Sequence, residues 1–272
     1  MNDQDNKVVK LNDEIQDDTA EASSPEIGTE AASEDKPRNK GIYLLPNLFT
    51  TGALFFGFYA VVASMNGLFS NASIAIFIAM ILDGLDGRVA RMTNTQSDFG
   101  AEYDSLADMV SFGVAPALVA FSWALQDLGK VGWVAAFIYV AGAALRLARF
   151  NTQIDTADKN YFTGLASPAA AAIVAGTVWA FSEMGATGKD VAWIMAFLVP
   201  FAGLLMVSNF QYHSFKGLDL KGKVPFVAML AVVMVFVVVS MDPAKVLLLV
   251  FMGYALSGPA VSGMKYWKGR KK

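Results

Sequence analysis

The stretch IAIFIAMILDGLDGRVAR, residues 74–91, runs from an apolar half into a cluster of charged residues. Its first nine residues carry no polar side chain. With the residues before them they can form a membrane-spanning helix, which needs about 20 mostly apolar residues. Ionisable side chains at the end of such a helix are costly to keep there and are commonly functional. The stretch therefore predicts a membrane helix that carries functional aspartates and arginines near one end.

Apolar runs of similar length recur from residue 42 onward and are separated by short polar gaps. Hydrophobic residues make up 55% of the 272 residues and charged residues 17%, whereas an average soluble domain has about a quarter charged residues. This pattern predicts an all-α polytopic integral membrane protein with about eight transmembrane helices. The predicted spans are residues 44–65, 71–92, 100–125, 131–150, 165–183, 190–210, 224–241 and 244–263.

The Lys and Arg residues near the ends of the predicted spans are unevenly distributed between the two sides of the membrane. The poorer side has only Lys130, Lys189 and Lys245. The richer side collects Lys36, Arg38, Lys40, Arg88, Arg91, Arg146, Arg149, Lys159, Lys216, Lys221, Lys223 and the bases of residues 265–272. Basic segments stay in the cytoplasm. We therefore expect a protein of the inner membrane whose two termini face the cytoplasm, as do the charged ends of the second and third spans.

The chain divides into four segments by composition. Residues 1–40 hold eleven acids and five bases and no aromatic residue, which predicts a disordered acidic cytoplasmic tail. Residues 41–212 are predicted to form a six-helix core, and residues 213–264 two additional transmembrane helices. Residues 265–272 are predicted to form a basic cytoplasmic tail. From residue 41 on, thirteen acids and sixteen bases give only a small positive charge, so binding of nucleic acid is not expected.

Several classes of chemistry are excluded by residue counts. The chain has no Cys, so it can form neither disulfides nor thiolate metal sites. Its one histidine, His213, rules out zinc sites built from several histidines and argues against a Ser-His-Asp triad. Any metal site must therefore be built from oxygen ligands.

Two predicted helices each carry functional residues on one face. Asp83, Asp86 and Arg91 share a helical stripe, and so do Asp104 and Asp108, which follow after a short polar turn. Four carboxylates then meet near the membrane surface, where they repel one another unless cations are present. Such oxygen ligands select Mg²⁺, Mn²⁺ or Ca²⁺ over zinc. The spacing suits two metal ions and predicts phosphoryl-type transfer.

A structural alternative uses the same charges. The acids could form ion pairs that hold helices together, with partners Arg88, Arg91, Arg146 and Arg149. Ion pairing could explain two of the acids. It does not readily explain four acids on two matched helical stripes that lie beside Gly87, Ala90 and Gly100. These small residues leave the floor of the groove open to a substrate.

The pattern D-x2-D-G-x2-A-R-x8-G-x3-D-x3-D is matched throughout between Asp83 and Asp108, and it resembles the signature of the CDP-alcohol phosphatidyltransferase family. Members of that family replace CMP in a CDP-linked lipid or alcohol by a second alcohol, using two divalent metal ions. The resemblance implies two Mg²⁺ or Mn²⁺ ions, held by Asp83, Asp86, Asp104 and Asp108. It also implies that Asp108 is the general base, and it suggests a homodimer.

The resemblance also implies a nucleotide pocket. Gly87, Arg91 and Ser97 occupy positions that contact the CDP moiety in the family. The first span begins PNLFT, similar to the family's P-N-x-[LF]-T entry, which adds Asn47 and Thr50 as residues that bind CDP-diacylglycerol. For Asn47 the alternative is a helix cap.

Two further stretches resemble the serine-transferring branch of the family, namely LRLARFN, residues 145–151, and FTGLASPAAA, residues 162–171. Ala166 departs from that pattern, where a proline is usual. Arg146 and Arg149 could bind a carboxylate bidentately, and serine carries one, whereas glycerol 3-phosphate and inositol do not. The alternatives are arginines that extend to the lipid interface, or pairs with Asp155 or Asp158.

The sequence therefore predicts an enzyme that transfers the phosphatidyl group of CDP-diacylglycerol to the L-serine hydroxyl and releases CMP. One alternative is a sister enzyme whose acceptor is glycerol 3-phosphate, inositol or inositol phosphate. Another, from a different class, is a divalent-cation transporter whose intramembrane acids bind the ion in transit.

Overall fold

The computed structural model describes residues 44–93, 95, 97–152, 161–213 and 226–269. Each of the eight predicted spans contains helix, and the third is one continuous helical segment, Asp98–Leu128. The helices are α1 (Leu44–Met65), α2 (Phe69–Thr93), α3 (Asp98–Asp108), α4 (Ala115–Ala120), α5 (Lys130–Thr152), α6 (Ser167–Glu183), α7 (Gly188–Val207), α8 (Phe226–Met241) and α9 (Pro243–Gly269). Two short strands are β1 (Tyr161–Thr163) and β2 (Gln211–His213).

Five helical segments in the described part of the chain are long and apolar enough to cross a membrane. They are Pro46–Met65, Asp98–Leu128, Lys130–Thr152, Gly188–Val207 and Pro243–Met264. Helices α6 and α8 have 17 and 16 residues, somewhat less than a full span needs. The prediction of an all-α membrane protein is confirmed at this level, apart from the two strands, which lie in polar gaps between predicted spans.

The helical segment Asp98–Leu128 changes its winding directly after Asp108. Residues Met109–Val114 form a π-helical turn, α4 follows, and Phe121–Leu125 form a second π-helical turn. The first of these turns lies against α1, where a Cβ atom on Gly57 would come within 2.4 Å of Ser111 Oγ. The Ser111 hydroxyl donates to the Ala53 carbonyl at 3.0 Å, which anchors α1 beside the end of α3.

Helix α6 has more buried residues than any other helix of the described chain. Nearly all of its residues from Ser167 to Ala180 are buried, and most are alanine or another small residue. Small side chains let helices approach closely, and α6 packs against α2, α4, α7 and α9. The first residue of α6, Ser167, is therefore held in the interior.

The two strands fix the entry into α6. They pair antiparallel, with Phe162 opposite Tyr212. After β1, Gly164 takes a φ of +81°, a left-handed conformation that glycine adopts without strain, and its N–H donates to the Phe210 carbonyl at 2.9 Å. The Leu165 N–H donates to the Leu205 carbonyl at 3.0 Å, so the start of α6 is tied to the end of α7.

Some sequence predictions concern residues outside the described ranges. These are the acidic segment 1–40, the segment that contains Asp155, Asp158 and Lys159, residues 214–225 and the last three residues. The backbone of α9 continues to Gly269, into the predicted basic tail, but the side chains from Lys265 on are not described.

Candidate active site

Three carboxylates from two helices form a compact group. Asp83 on α2 and Asp104 and Asp108 on α3 each offer an oxygen atom, and these atoms lie within 4.8 Å of one another. All three side chains are half-buried. Asp104 and Asp108 share a helix face because they are four residues apart. It is the one group of three or more potential metal-ligating residues in the part of the chain that the structure describes.

The fourth predicted carboxylate, Asp86, lies beside this group and is more deeply buried, with 6% of its surface exposed. Its Oδ2 accepts a hydrogen bond of 2.7 Å from Thr50 Oγ1 on α1. Its side chain also approaches that of Asp104, and Arg91 interacts with it electrostatically. Asp86 therefore links the carboxylate group to α1.

Among the described residues, no ion pair joins any of the four aspartates to an arginine. The ion pairs found there are Lys189–Asp127 and Lys245–Asp242, both away from the carboxylate group. The alternative in which the acids pair with helix-packing arginines therefore has no direct ion pair behind it in this part of the chain, only the longer-range attraction of Arg91 for Asp86 and of Arg146 for Asp108.

The chemistry of the donors fits a divalent cation. Three half-buried carboxylates offer only hard oxygen atoms, and carboxylates this close repel one another without a cation. Oxygen-only sites of this kind suit Mg²⁺, Mn²⁺ or Ca²⁺. The carboxylate group can thus hold a metal ion.

Apart from Thr50, which is bonded to Asp86, the candidate CDP-binding residues lie in two small clusters. In the first, a Cβ atom on Gly100 would lie 3.1 Å from Ser97 Oγ and 3.6 Å from Asn47 Oδ1, so α1 and the start of α3 meet here. In the second, a Cβ atom on Gly87 would lie 3.5 Å from the Arg91 guanidinium.

Ser97 also has a structural role. Its hydroxyl accepts a hydrogen bond of 3.1 Å from the Gly100 N–H and caps the first turn of α3. The Thr50 hydroxyl likewise makes a contact within the protein, its hydrogen bond to Asp86, and Thr50 is almost fully buried. Asn47 begins no helix, because α1 already starts at Leu44, so the cap alternative for Asn47 does not hold.

The two arginines of the LRLARFN stretch have different surroundings. Arg146 Nη1 donates to Ser167 Oγ at 3.0 Å, and the guanidinium interacts electrostatically with Asp108. Its Nε is buried and has no hydrogen-bond partner among the described residues. Arg149 Nη2 instead donates to Asn209 Oδ1 at 3.0 Å, in an exposed position. Only Arg146 is associated with the carboxylate group in these contacts.

Sequence reasoning missed two supporting contacts. Ser167 was part of the quoted FTGLASPAAA stretch, but nothing in its spacing indicated that it would contact Arg146. Between Asp104 and Asp108, Ser105 exchanges hydrogen bonds with the Asn151 side chain, and Asn151 Nδ2 lies 3.1 Å from Ser105 Oγ. This contact fixes the end of α5 against α3.

The bond between Thr50 and Asp86 gives a testable expectation. In Thr50→Val the side chain keeps its shape but loses the donor to Asp86, and a hydrogen bond to a charged group contributes about 1.5–3 kcal/mol. We expect turnover to fall roughly ten- to a hundredfold and the divalent-ion requirement to rise. Thr50→Ser keeps the donor and is expected to lose far less. Equal kinetics in the Val and Ser variants would show that the hydroxyl has no such role.

Comparison with known proteins gives the family of this chain. The family model for CDP-alcohol phosphatidyltransferase matches residues 43–205. The CDP-diacylglycerol–serine O-phosphatidyltransferase of Helicobacter pylori is 38% identical over 196 residues, which cover 72% of this chain and 83% of the relative. The enzyme of that name from Mycobacterium leprae is 34% identical over 215 residues, covering 75% and 71%. That from Saccharomyces cerevisiae is 40% identical over 139 residues, covering 46% and 50%. The chain therefore belongs to the CDP-alcohol phosphatidyltransferase family.

Proposed function

We propose that this protein is a phosphatidylserine synthase, which transfers the phosphatidyl group of CDP-diacylglycerol to the hydroxyl of L-serine and releases CMP. The observation that carries the proposal is the group of three carboxylates together with Arg146, which interacts electrostatically with Asp108 and whose buried Nε has no partner among the described residues. The names of the relatives support the same donor and acceptor.

The proposal assigns two Mg²⁺ or Mn²⁺ ions to the four aspartates. Asp83, Asp86 and Asp104 would hold one ion, and Asp83, Asp104 and Asp108 would hold the other. The oxygen-only chemistry of the carboxylate group supports this assignment. When bound, such ions supply Lewis-acid stabilisation of negative charge on the phosphoryl oxygens. Thr50 holds the Asp86 carboxylate in one orientation through its 2.7 Å hydrogen bond.

Asp108 is the proposed general base. The serine hydroxyl gives its proton to the Asp108 carboxylate, and its oxygen forms a bond to the lipid-side phosphorus of the diphosphate. The bond from that phosphorus to the bridging oxygen breaks, and the electron pair leaves with CMP. Asp108 suits this role because it is half-buried at the point where α3 gives way to the π-helical turn.

The acceptor's carboxylate is assigned to Arg146. Nη1 of the Arg146 guanidinium already donates to Ser167. The edge of the guanidinium that includes Nε is therefore the one that can still bind a carboxylate through two hydrogen bonds. In serine only three bonds separate the hydroxyl oxygen from the carboxylate carbon, so a molecule held at Arg146 has its hydroxyl near Asp108, with which Arg146 interacts. Arg149, whose Nη2 is bonded to Asn209, is proposed to make a weaker contact with the serine carboxylate.

The donor is assigned to the other side of the carboxylate group. Asn47, Thr50, Gly87, Arg91 and Ser97 are proposed to bind the CDP part of CDP-diacylglycerol. Arg91 is exposed on the last turn of α2, where its permanent charge can reach a diphosphate. The bare surface at Gly87 lets the phosphates approach the backbone.

The proposed setting is the inner membrane, with eight spans, both termini and the active site on the cytoplasmic side, and the tails 1–40 and 265–272 in the cytoplasm. The five apolar helical segments and the excess of Lys and Arg on one side support it. The acyl chains need lateral access from the bilayer. A homodimer is part of the proposal, as the family resemblance implies.

The test is CMP release by the purified full-length protein with CDP-diacylglycerol and a panel of acceptors. We expect release with L-serine and much slower release with glycerol 3-phosphate, inositol and inositol phosphate. A preference for one of these three would assign a sister enzyme. Movement of a divalent cation across a vesicle membrane without CMP release would assign a transporter.

A further inference from the structure

Helices α1 and α3 meet at two levels beside the proposed nucleotide pocket. At the first level, a Cβ atom on Gly100 would lie 3.6 Å from Asn47 Oδ1, so the Asn47 side chain lies against bare backbone. At the second level, the hydroxyl oxygens of Thr51 and Tyr103 lie 2.9 Å apart. Asn47 and Thr51 share a face of α1, because residues four positions apart are neighbours on a helix. Gly100 and Tyr103, three positions apart, likewise share a face of α3, so the two contacts belong to one interface.

The direction of the hydrogen bond between Tyr103 and Thr51 follows from a third contact. Thr51 Oγ1 also lies 2.7 Å from the Asn47 carbonyl oxygen, to which it can only donate. A threonine hydroxyl has one proton and two lone pairs. Because that proton is given to Asn47, the Thr51 oxygen accepts from the Tyr103 hydroxyl. The three groups therefore form a chain in which Tyr103 donates to Thr51 and Thr51 donates to the Asn47 backbone.

The ring of Tyr103 is also held in place. Phe99, one turn earlier on α3, stacks on it with 6.0 Å between the ring centroids and 14° between the ring planes. Phe99 is 71% exposed, so this aromatic pair lies on the outside of α3 and not in the core. Hydrogen bonds arranged in a chain polarise and strengthen one another. The chain from Tyr103 therefore ties α3 to the turn of α1 that carries Asn47, and it leaves the surface at Gly100 bare.

We propose that Tyr103 is a positioning residue for the donor: through Thr51 it holds the first turns of α1 against α3, so that Asn47 and Ser97 keep their spacing around Gly100 for the CDP moiety. This inference rests on the proposed function, because it takes Asn47 and Ser97 as residues that bind CDP-diacylglycerol. The Thr51 hydroxyl is already engaged on both sides and acts through Asn47. A pocket that is assembled in advance binds its ligand at a smaller entropic cost.

The first experiment uses Tyr103→Phe in the full-length protein, which loses the hydroxyl but keeps the ring on Phe99. We expect the KM for CDP-diacylglycerol to rise about three- to tenfold, the range for losing one hydrogen bond between neutral groups. The kcat and the KM for serine should change less than twofold, because the lost contact serves binding of the donor and not the chemical step. The inhibition constant of CMP should rise by the same factor as the KM, since CMP carries the nucleotide and no lipid. An unchanged inhibition constant would overturn the proposal.

Matched variants separate this effect from a general loss of packing. Tyr59→Phe removes a hydroxyl from another partly exposed tyrosine, which lies twelve residues from Asn47 on α1, about 18 Å along the helix. It should leave both KM values and the inhibition constant of CMP unchanged. Thr51→Val, which breaks the chain, should raise the KM for CDP-diacylglycerol as Tyr103→Phe does. Thr51→Ser keeps the hydroxyl and should stay within twofold of wild type.

A double-mutant cycle tests whether Tyr103 acts through Thr51. If it does, Tyr103→Phe should raise the KM for CDP-diacylglycerol less than twofold once Thr51→Val is present. Equal effects of Tyr103→Phe in both backgrounds would overturn the proposal. If Tyr103→Phe does not accumulate as folded protein, Thr51→Val and Thr51→Ser are compared alone, and KM values within twofold of each other would overturn it.

The two levels of the account fail in different ways. If the wild-type protein releases CMP with serine, but Tyr103→Phe leaves the KM for CDP-diacylglycerol and the inhibition constant of CMP within twofold of wild type, the role of Tyr103 is overturned and the proposed function stands. If the wild-type protein uses another alcohol, the acceptor assignment is overturned, and the same measurements with that alcohol decide the role of Tyr103. If it neither turns over CDP-diacylglycerol nor binds CMP, both are overturned together.

Discussion

Asp83→Asn and Asp104→Asn are each expected to abolish CMP release, with kcat reduced by roughly a thousandfold or more. Both side chains belong to the carboxylate group, whose oxygens lie within 4.8 Å of one another. Asparagine has nearly the same shape but no charge, so it removes an anionic ligand without creating a cavity. The measurement is CMP release at saturating serine and CDP-diacylglycerol over a series of Mg²⁺ and Mn²⁺ concentrations.

A stability readout separates this loss from misfolding. Because the carboxylates repel one another without a cation, each Asn variant should be at least as stable as wild type in metal-free buffer. Added Mn²⁺ should raise the melting temperature of wild type, since a ligand at about 100 times its Kd stabilises a protein by about 2.7 kcal/mol. The Asn variants should show a much smaller rise.

Asp127→Asn, at a carboxylate that pairs with Lys189, is the control and should behave like wild type. Substantial turnover in either active-site variant would count against metal-dependent catalysis at these residues.

Arg146→Lys is expected to raise the KM for serine by roughly ten- to a hundredfold, because a charge-assisted hydrogen bond contributes about 1.5–3 kcal/mol. Lysine keeps the charge but loses the planar fork and the Nε donor, which is buried without a partner among the described residues. The KM for CDP-diacylglycerol should change much less. The measurement is the initial rate with each substrate varied in turn.

Two comparisons sharpen this expectation. Arg149→Lys should raise the serine KM less than Arg146→Lys, since the Arg149 fork is already bonded to Asn209. Serine methyl ester, which lacks the anionic carboxylate, should be a poor acceptor for wild type, and Arg146→Lys should discriminate less between ester and acid. If Arg146→Lys raised only the KM for the lipid, Arg146 would be a diphosphate or headgroup ligand instead.

The positions of the helices could be predicted because a bilayer leaves a chain few choices. Backbone polar groups cannot be left unpaired in lipid, so each long apolar run must be helical. The grouping of Asp83 with Asp104 and Asp108 could also be predicted. The two stripes follow the helical period, and the turn between α2 and α3 is too short to separate them.

Other features depend on tertiary contacts that carry no periodic signal. The π-helical turn after Asp108 keeps the apolar pattern of an ordinary helix, so hydropathy does not distinguish them. The bond from Thr50 to Asp86 joins residues 36 positions apart and depends on how α1 crosses α2. The difference between Arg146 and Arg149, three residues apart on one helix, is set by Ser167 and Asn209 on other elements.

The most direct test of the central claim follows the serine hydroxyl oxygen. The purified protein is incubated with CDP-diacylglycerol and with L-serine that carries ¹⁸O in its hydroxyl group. The masses of the products are then measured by mass spectrometry. If the serine oxygen attacks the lipid-side phosphorus, as proposed, phosphatidylserine retains the label and CMP contains none. Unlabelled phosphatidylserine, or label found in an ester of serine with CMP, would contradict the account.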